Sequence, residues 1–245
     1  MTHPNSPLYS SIASELRQRI RSGEYPAGHR LPTERELCSQ LGVARSTVRQ
    51  ALDSLEVEGL VTRRRGRGGG TVVLPPAPLV ELTDIRGFMR QLYDRGHKVT
   101  STVLLSEKRV VEAEEREALR LNQGAEVWVI HRLSCIDDVP ILVERSQFPV
   151  ALFPDLLDHN ITASLYGLMR DTYHRAPESK TEHIEPGLSD AEEAHLFSGS
   201  PRGPVLRIRR TSFDSTGEAV EYSVDTFRSN RLRMCVQTGE NPAVS

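Results

Sequence analysis

Arg45, Ser46, Thr47 and Arg49 stand within five positions and carry groups suited to reading the edge of a base pair. An arginine fork bonds guanine O6 and N7 together, at about 1–3 kcal/mol of discrimination per good pair, while small side chains approach methyl groups and acceptors in the major groove. Arg35, ten residues earlier, suits a phosphate. Arg65, Gly66 and Arg67 open a glycine-rich run whose backbone can approach DNA closely, so these arginines suit the duplex backbone or the minor groove. A second set lies far downstream. Arg132 can grip an anionic group with two parallel bonds, and Glu144 and Glu221 can accept from hydroxyls or an amine.

A lone arginine on a helix is usually just a solvated charge, so the elements that place these residues decide their meaning. Tyr9, Ile12, Ala13, Leu16 and Ile20 recur at helical spacing, with Arg17, Arg19 and Arg21 off that stripe, and Gly23 ends the helix. Thr33 followed by Glu36 is a capping-box signature for a second helix carrying Leu37 and Leu41, stopped by Gly42. A third helix is expected from about Ala44, with Val48, Ala51, Leu52 and Leu55 inward and Ser46, Arg49, Gln50 and Asp53 outward. Residues 60–65 and 71–74 read as short strands around the glycine-rich tip, which makes a wing. Because a strand follows that tip where a nucleotide loop requires a helix, no phosphate cradle is expected.

Charge supports this placement. The 245 residues carry a formal net charge of −2, but residues 1–74 hold 11 arginines, no lysine and seven acids, whereas the rest holds 20 bases and 26 acids. Only the front third is built to approach a polyanion. With 38% hydrophobic and 26% charged residues, no apolar run long enough to span a bilayer and a polar start at Met1–Ser6, a cytoplasmic globular chain with no membrane partner is expected. Cys38, Cys135 and Cys235 are too scattered for a disulfide framework or a zinc site, and no cofactor is expected.

The run Pro75-Pro76-Ala77-Pro78 marks a stiff linker. Beyond it, residues 84–95 read as helical, 99–111 as extended and 112–121 as helical. Two hairpins follow, 126–136 with 139–148 and 204–213 with 218–228, each with an acid in its second strand. Between them, 150–158 and 162–172 read as helical, 177–186 as extended and 189–197 as helical. The sum is an α+β domain with a largely antiparallel sheet. Asp155 and His159 have a spacing that suits a metal but no further ligand nearby, and His131, His174 and His183 lack any partner motif for catalysis.

The pattern Leu31-Pro32-Thr33-Glu34-Arg35-Glu36-Leu37, Leu41-Gly42-Val43-x-Arg45-x-Thr47-Val48-Arg49-x-Ala51-Leu52 and Glu58-Gly59-Leu60 resembles the N-terminal domain of GntR-family regulators. That resemblance implies Arg35, Arg45, Thr47, Arg49 and the wing near Gly66 as DNA contacts and an inverted-repeat operator read by a homodimer. The family's usual Ser at the third helix's N-cap is Ala44 here, and three arginines precede Gly66. Residues 84–235 are similar to the HutC subfamily, whose UTRA effector domain has a chorismate-lyase-like fold. The carrying residues include Val129-Ile130-x-Arg132-Leu133, Glu144-x-Ser146-x-Phe148-Pro149, Ser164-Leu165-Tyr166 and Gly217-Glu218-Ala219-Val220-Glu221-Tyr222-Ser223. By resemblance Ser101, Arg132, Ser134, Glu144, Ser164, Tyr166, Glu221 and Phe227 line an effector pocket, and a sugar phosphate or a carboxylate is the candidate ligand. The subfamily's phosphate binders commonly carry a second Arg where this chain has Ser134.

The expected organisation is a winged helix-turn-helix at 1–74, a linker at 75–83 and an effector-binding, dimerising domain at 84–245. The expected function is a ligand-responsive DNA-binding transcriptional regulator, a repressor, without enzymatic activity. The alternative is an enzyme or small-molecule binding protein with an accessory DNA tether.

Overall fold

The structure is a computed structural model and describes residues 7–64, 69–197 and 203–239. The chain divides into two compact units between Ala77 and Pro78. Among the described residues no helix is long and apolar enough to cross a membrane.

The first unit packs α1 (Leu8–Arg21), α2 (Glu34–Leu41) and α3 (Arg45–Val57) around Ile12, Leu16, Leu37, Val48, Leu52 and Leu55, all buried. Each such side chain contributes about 1.5–3 kcal/mol on leaving water. The capping box at Thr33 forms as its sequence predicts: the threonine hydroxyl accepts from Glu36 N–H and the Glu36 carboxylate accepts from Thr33 N–H at 2.7 Å. Gly42 ends α2 with φ +64°, a left-handed conformation that glycine adopts without a Cβ clash. The wing strands β1 (Val61–Arg64) and β2 (Gly70–Val73) pair antiparallel. A third segment, 28–31, lies along β2, with Gly28 N–H donating to Val73 O, Val73 N–H to His29 O and Leu31 N–H to Thr71 O.

The second unit is a six-stranded antiparallel sheet in the order β4-β5-β6-β9-β8-β7, built from β4 (Val99–Val110), β5 (Glu126–Ile136), β6 (Val139–Pro149), β7 (Ser179–Leu188), β8 (Pro204–Phe213) and β9 (Ala219–Arg228). Its helices are α4 (Phe88–Asp94), α5 (Ala113–Ala118), α6 (Leu165–Asp171) and α7 (Ala191–Leu196). Strand β3 (Leu79–Glu81) pairs in parallel with β10 (Arg233–Cys235). The segment expected to be linker as far as residue 83 is therefore partly strand, because Val80 is fully buried beside Phe88 and Leu232. The helix expected at 150–158 is reduced to one 3-10 turn, Leu156–Asp158. Pro154 restricts Phe153 before it and donates no N–H, which rules out a regular helix there. The helix expected from 84 starts at Phe88, after Gly87 at φ +89°.

One face of the sheet carries an unusual stripe. Arg132 stands opposite Glu144 and Glu144 opposite Asp225, while Arg210 stands opposite Ser223 and Ser212 opposite Glu221. All are buried. Apolar clusters flank the stripe, one containing Ile136, Leu142, Ile208 and Phe227, the other Ile130, Phe148 and Val220.

Candidate nucleic-acid interface and effector pocket

In the first unit Arg45, Ser46 and Arg49 are exposed on the opening turns of α3, Thr47 is half-buried beside them and Arg35 is exposed in the first turn of α2. Arg65, Gly66 and Arg67 lie outside the described residues. The N-cap of α3 is Ala44, extended at φ −66° and ψ 150° and without a side-chain cap. Glu34, at the start of α2, gathers the arginines that follow: its carboxylate accepts from Arg45 Nε at 2.8 Å and lies 3.7 Å from Arg49 Nε. Arg63 fastens the wing to α3, donating to the carbonyl of Arg49 at 3.1 Å and pairing with Asp53 at 2.7 Å. Sequence reasoning passed over both Glu34 and Arg63, whose partners become neighbours only when the helices and wing assemble.

In the second unit a cavity of about 310 Å3 opens above the polar stripe, at the small end of the range for metabolite sites. Six of the eight residues expected there line it: Ser101, Arg132, Glu144, Ser164, Tyr166 and Glu221. Ser134 sits one layer behind. Its hydroxyl donates to Glu144 Oε2 at 3.0 Å, so the hydrogen in its 2.7 Å contact with Ser101 comes from Ser101. Phe227 does not line the cavity either. It is buried with its ring edge-on to Phe88 at 5.1 Å, and Phe88 forms part of the wall. Ser164 caps α6, accepting from Gly167 N–H at 3.1 Å.

Arg132 reaches across to the loop before α6, donating to the carbonyls of Ile161 and Ala163 at 3.1 and 3.0 Å and pairing with Glu144 at 3.0 Å. Tyr166 Oη donates to Glu221 Oε2 at 2.6 Å. Burial, opposed by Arg210, pushes that phenol well above its ordinary range, so it stays a donor. The sequence reading missed Arg210. It is buried in β8, also lines the cavity, and pairs with Asp225 at 2.9 Å and Glu221 at 3.3 Å. Its guanidinium lies 5.8 Å from the ring centre of Phe88 and 5.9 Å from that of Tyr166. Its only sequence signal was a charge inside an otherwise alternating strand.

His131, His174 and His183 do not line the cavity. Asp155 and His159 approach to 3.6 Å, but among the described residues no group of three or more potential ligands is placed to hold a metal ion.

A winged helix-turn-helix followed by a sheet domain with a cavity lined by charged, polar and apolar side chains defines the class of ligand-responsive DNA-binding regulators. Residues 8–73 match the family model described as bacterial regulatory proteins, gntR family, and residues 94–233 match the UTRA domain. The chain belongs to the GntR family, with a UTRA effector domain. It is 34% identical to the HTH-type transcriptional regulator GgaR of Escherichia coli (strain K12) over 92% of this chain and 89% of that one. It is 32% identical to the HTH-type transcriptional repressor NagR of Bacillus subtilis (strain 168) over 92% of both. The crystal structure of PhnF from Mycobacterium smegmatis superposes with a TM-score of 0.66 at 27% identity, covering 94% of this chain and all of that one. These relatives are transcriptional regulators, which removes the alternative of an enzyme with a DNA tether.

Proposed function

We propose that the protein is a homodimeric cytoplasmic repressor whose two winged units read the halves of an inverted-repeat operator. Arg45, Ser46, Thr47 and Arg49 read bases, Arg35 meets a phosphate, and Arg65, Gly66 and Arg67 carry the wing against the backbone or minor groove. The observation that carries this reading is the exposed Arg45–Arg49 pair at the front of α3, held by one carboxylate and braced from behind by the wing arginine Arg63.

A small polar metabolite fills the cavity of the second unit, touching Ser101, Arg132, Glu144, Ser164, Tyr166 and Glu221, with Ser134 and Phe227 supporting the wall. Phe88, on that wall, starts the helix that follows β3 and the proline-rich segment, so occupancy and operator affinity are coupled through this stretch of chain. The subfamily resemblance favours a sugar phosphate or a carboxylate, and Arg86, Arg90, Arg132 and Arg210 stand among the residues that line the cavity.

A gel-shift titration against DNA from the protein's own promoter region tests the regulator reading. A specific complex that weakens steeply with salt is expected, and Arg49→Ala should weaken it at least about tenfold, the worth of one good base contact. A complex indifferent to Arg49→Ala would remove α3 from the interface.

A further inference from the structure

Most arginines described in the first unit have an acidic partner. Arg17 holds Glu58, Arg19 holds Glu15 and Glu24, Arg45 and Arg49 share Glu34, and Arg63 holds Asp53. Arg30 is different. It is exposed, and among the described residues no carboxylate forms an ion pair with it. A cation left without a partner in a unit that otherwise neutralises its arginines is available to a partner from outside, and its surroundings say which one.

The backbone of Arg30 is fixed in advance. It stands opposite Val72 of β2, between the hydrogen bonds of Gly28 N–H to Val73 O and Leu31 N–H to Thr71 O, and Leu31 beside it is buried in the core. Only side-chain freedom is left to lose on binding. A Cβ placed on Gly70 would stand 3.7 Å from Cδ of Arg30, so the arginine stem runs along the first residue of β2, directly after the glycine-rich run that carries Arg65 and Arg67. On its other side, four residues along the chain, Glu34 opens α2 and touches Arg45 at the front of α3. Arg30 therefore stands between the foot of the wing and the front of the recognition helix. A helix in the major groove and a wing tip in the minor groove have a sugar-phosphate strand between them, so a cation placed there meets phosphate oxygens and not base edges.

We propose that Arg30 binds a phosphate of the DNA strand that separates the two grooves, a contact blind to sequence that seats the wing and α3 on the duplex together. The proposal rests on the DNA-binding reading above and adds to it a contact from the strand segment 28–31. The contact contributes affinity and salt dependence, and discrimination between sequences stays with Arg45 and Arg49.

The test compares Arg30→Gln, Arg30→Lys and Arg49→Ala with the parent, all full-length. Fluorescence anisotropy is read across a salt series on DNA from the protein's own promoter region and on a scrambled duplex of equal length. Arg30→Gln should weaken both complexes by the same factor, at least about fivefold at low salt. It should also lower the slope of log affinity against log salt by about 0.9 for each protomer engaged, about 1.8 for a dimer. Arg30→Lys should keep the parent slope, because a phosphate accepts a point charge where a base pair demands the arginine fork. Arg30→Gln should melt with the parent, as expected for an exposed side chain without an ion pair, so a merely structural role would show in melting and leave the slope alone. An unchanged slope with Arg30→Gln overturns the proposal, and so does a loss confined to the promoter DNA, which would make Arg30 a base reader. Arg49→Ala keeps the two readings apart. Promoter affinity indifferent to Arg49→Ala overturns the role of α3, while the slope on the scrambled duplex still decides Arg30.

Discussion

Oε2 of Glu34 accepts a hydrogen bond from Nε of Arg45 at 2.8 Å, across the turn between the second and third helices. The arginine side chain remains 74% exposed, so the pair contributes little to stability. Its effect falls on recognition, because the carboxylate restrains two guanidinium groups and sets a negative charge among those facing DNA. Glu34→Gln should tighten binding to scrambled duplexes about threefold at low salt and lower the ratio of operator to scrambled affinity. Fluorescence anisotropy on both duplexes across a salt series measures this; an unchanged ratio would confine Glu34 to a structural part.

Ala44 occupies an N-cap position with the extended backbone that a capping hydroxyl requires, yet offers no acceptor. Ala44→Ser should add about 1 kcal/mol to the first unit and raise its melting midpoint by about 4–8 °C. Thermal unfolding followed by circular dichroism is the measurement.

Much of the first unit was legible because its determinants are local. The Thr33–Glu36 box, the glycine stops and the 3.6-residue apolar rhythm all act within a few positions of themselves. The cavity was half legible. Arg132, Glu144 and Glu221 stood out as charges in strands, but Arg210 acquires meaning only when Glu182, Glu221 and Asp225 arrive from β7 and β9. Phe227 and Ser134 show the converse error: the subfamily resemblance implied contact, while packing put one against Phe88 and the other behind Ser101. The pairing of β3 with β10 joins segments about 150 residues apart and leaves no local signature.

Arg132→Ala would strand the buried carboxylate of Glu144 and release two loop carbonyls. A loss of about 3–5 kcal/mol is expected, in the range for breaking a buried ion pair from one side. Adding Glu144→Gln should recover part of it, and urea denaturation of single and double variants gives the coupling.

Asp225 provides a pH test. Its carboxyl is raised by burial to about 7 from an ordinary value near 3.8, with Arg210, Glu144 and Glu221 as its charged neighbours. A raised folded-state value means the folded protein holds the proton longer than the unfolded chain. This contribution is present at low pH and is lost as pH rises from about 4 through about 7. Asp225→Asn, which cannot titrate, should therefore gain stability relative to the parent between pH 5 and pH 8, as measured by urea melts at each pH. A difference between parent and variant that stays constant over this range would mean that Asp225 is ionised throughout.

The parallel pairing of Leu79–Glu81 with Arg233–Cys235 has a mechanical side. The first and last strands of the second unit form one ribbon, so tension arriving through the proline-rich segment loads its hydrogen bonds in shear, all together. A pull there is borne by the C-terminal strand as much as by the first. An excised effector domain must therefore keep both segments, and trimming the chain before Arg233 would unfasten the point at which the proline-rich segment is anchored.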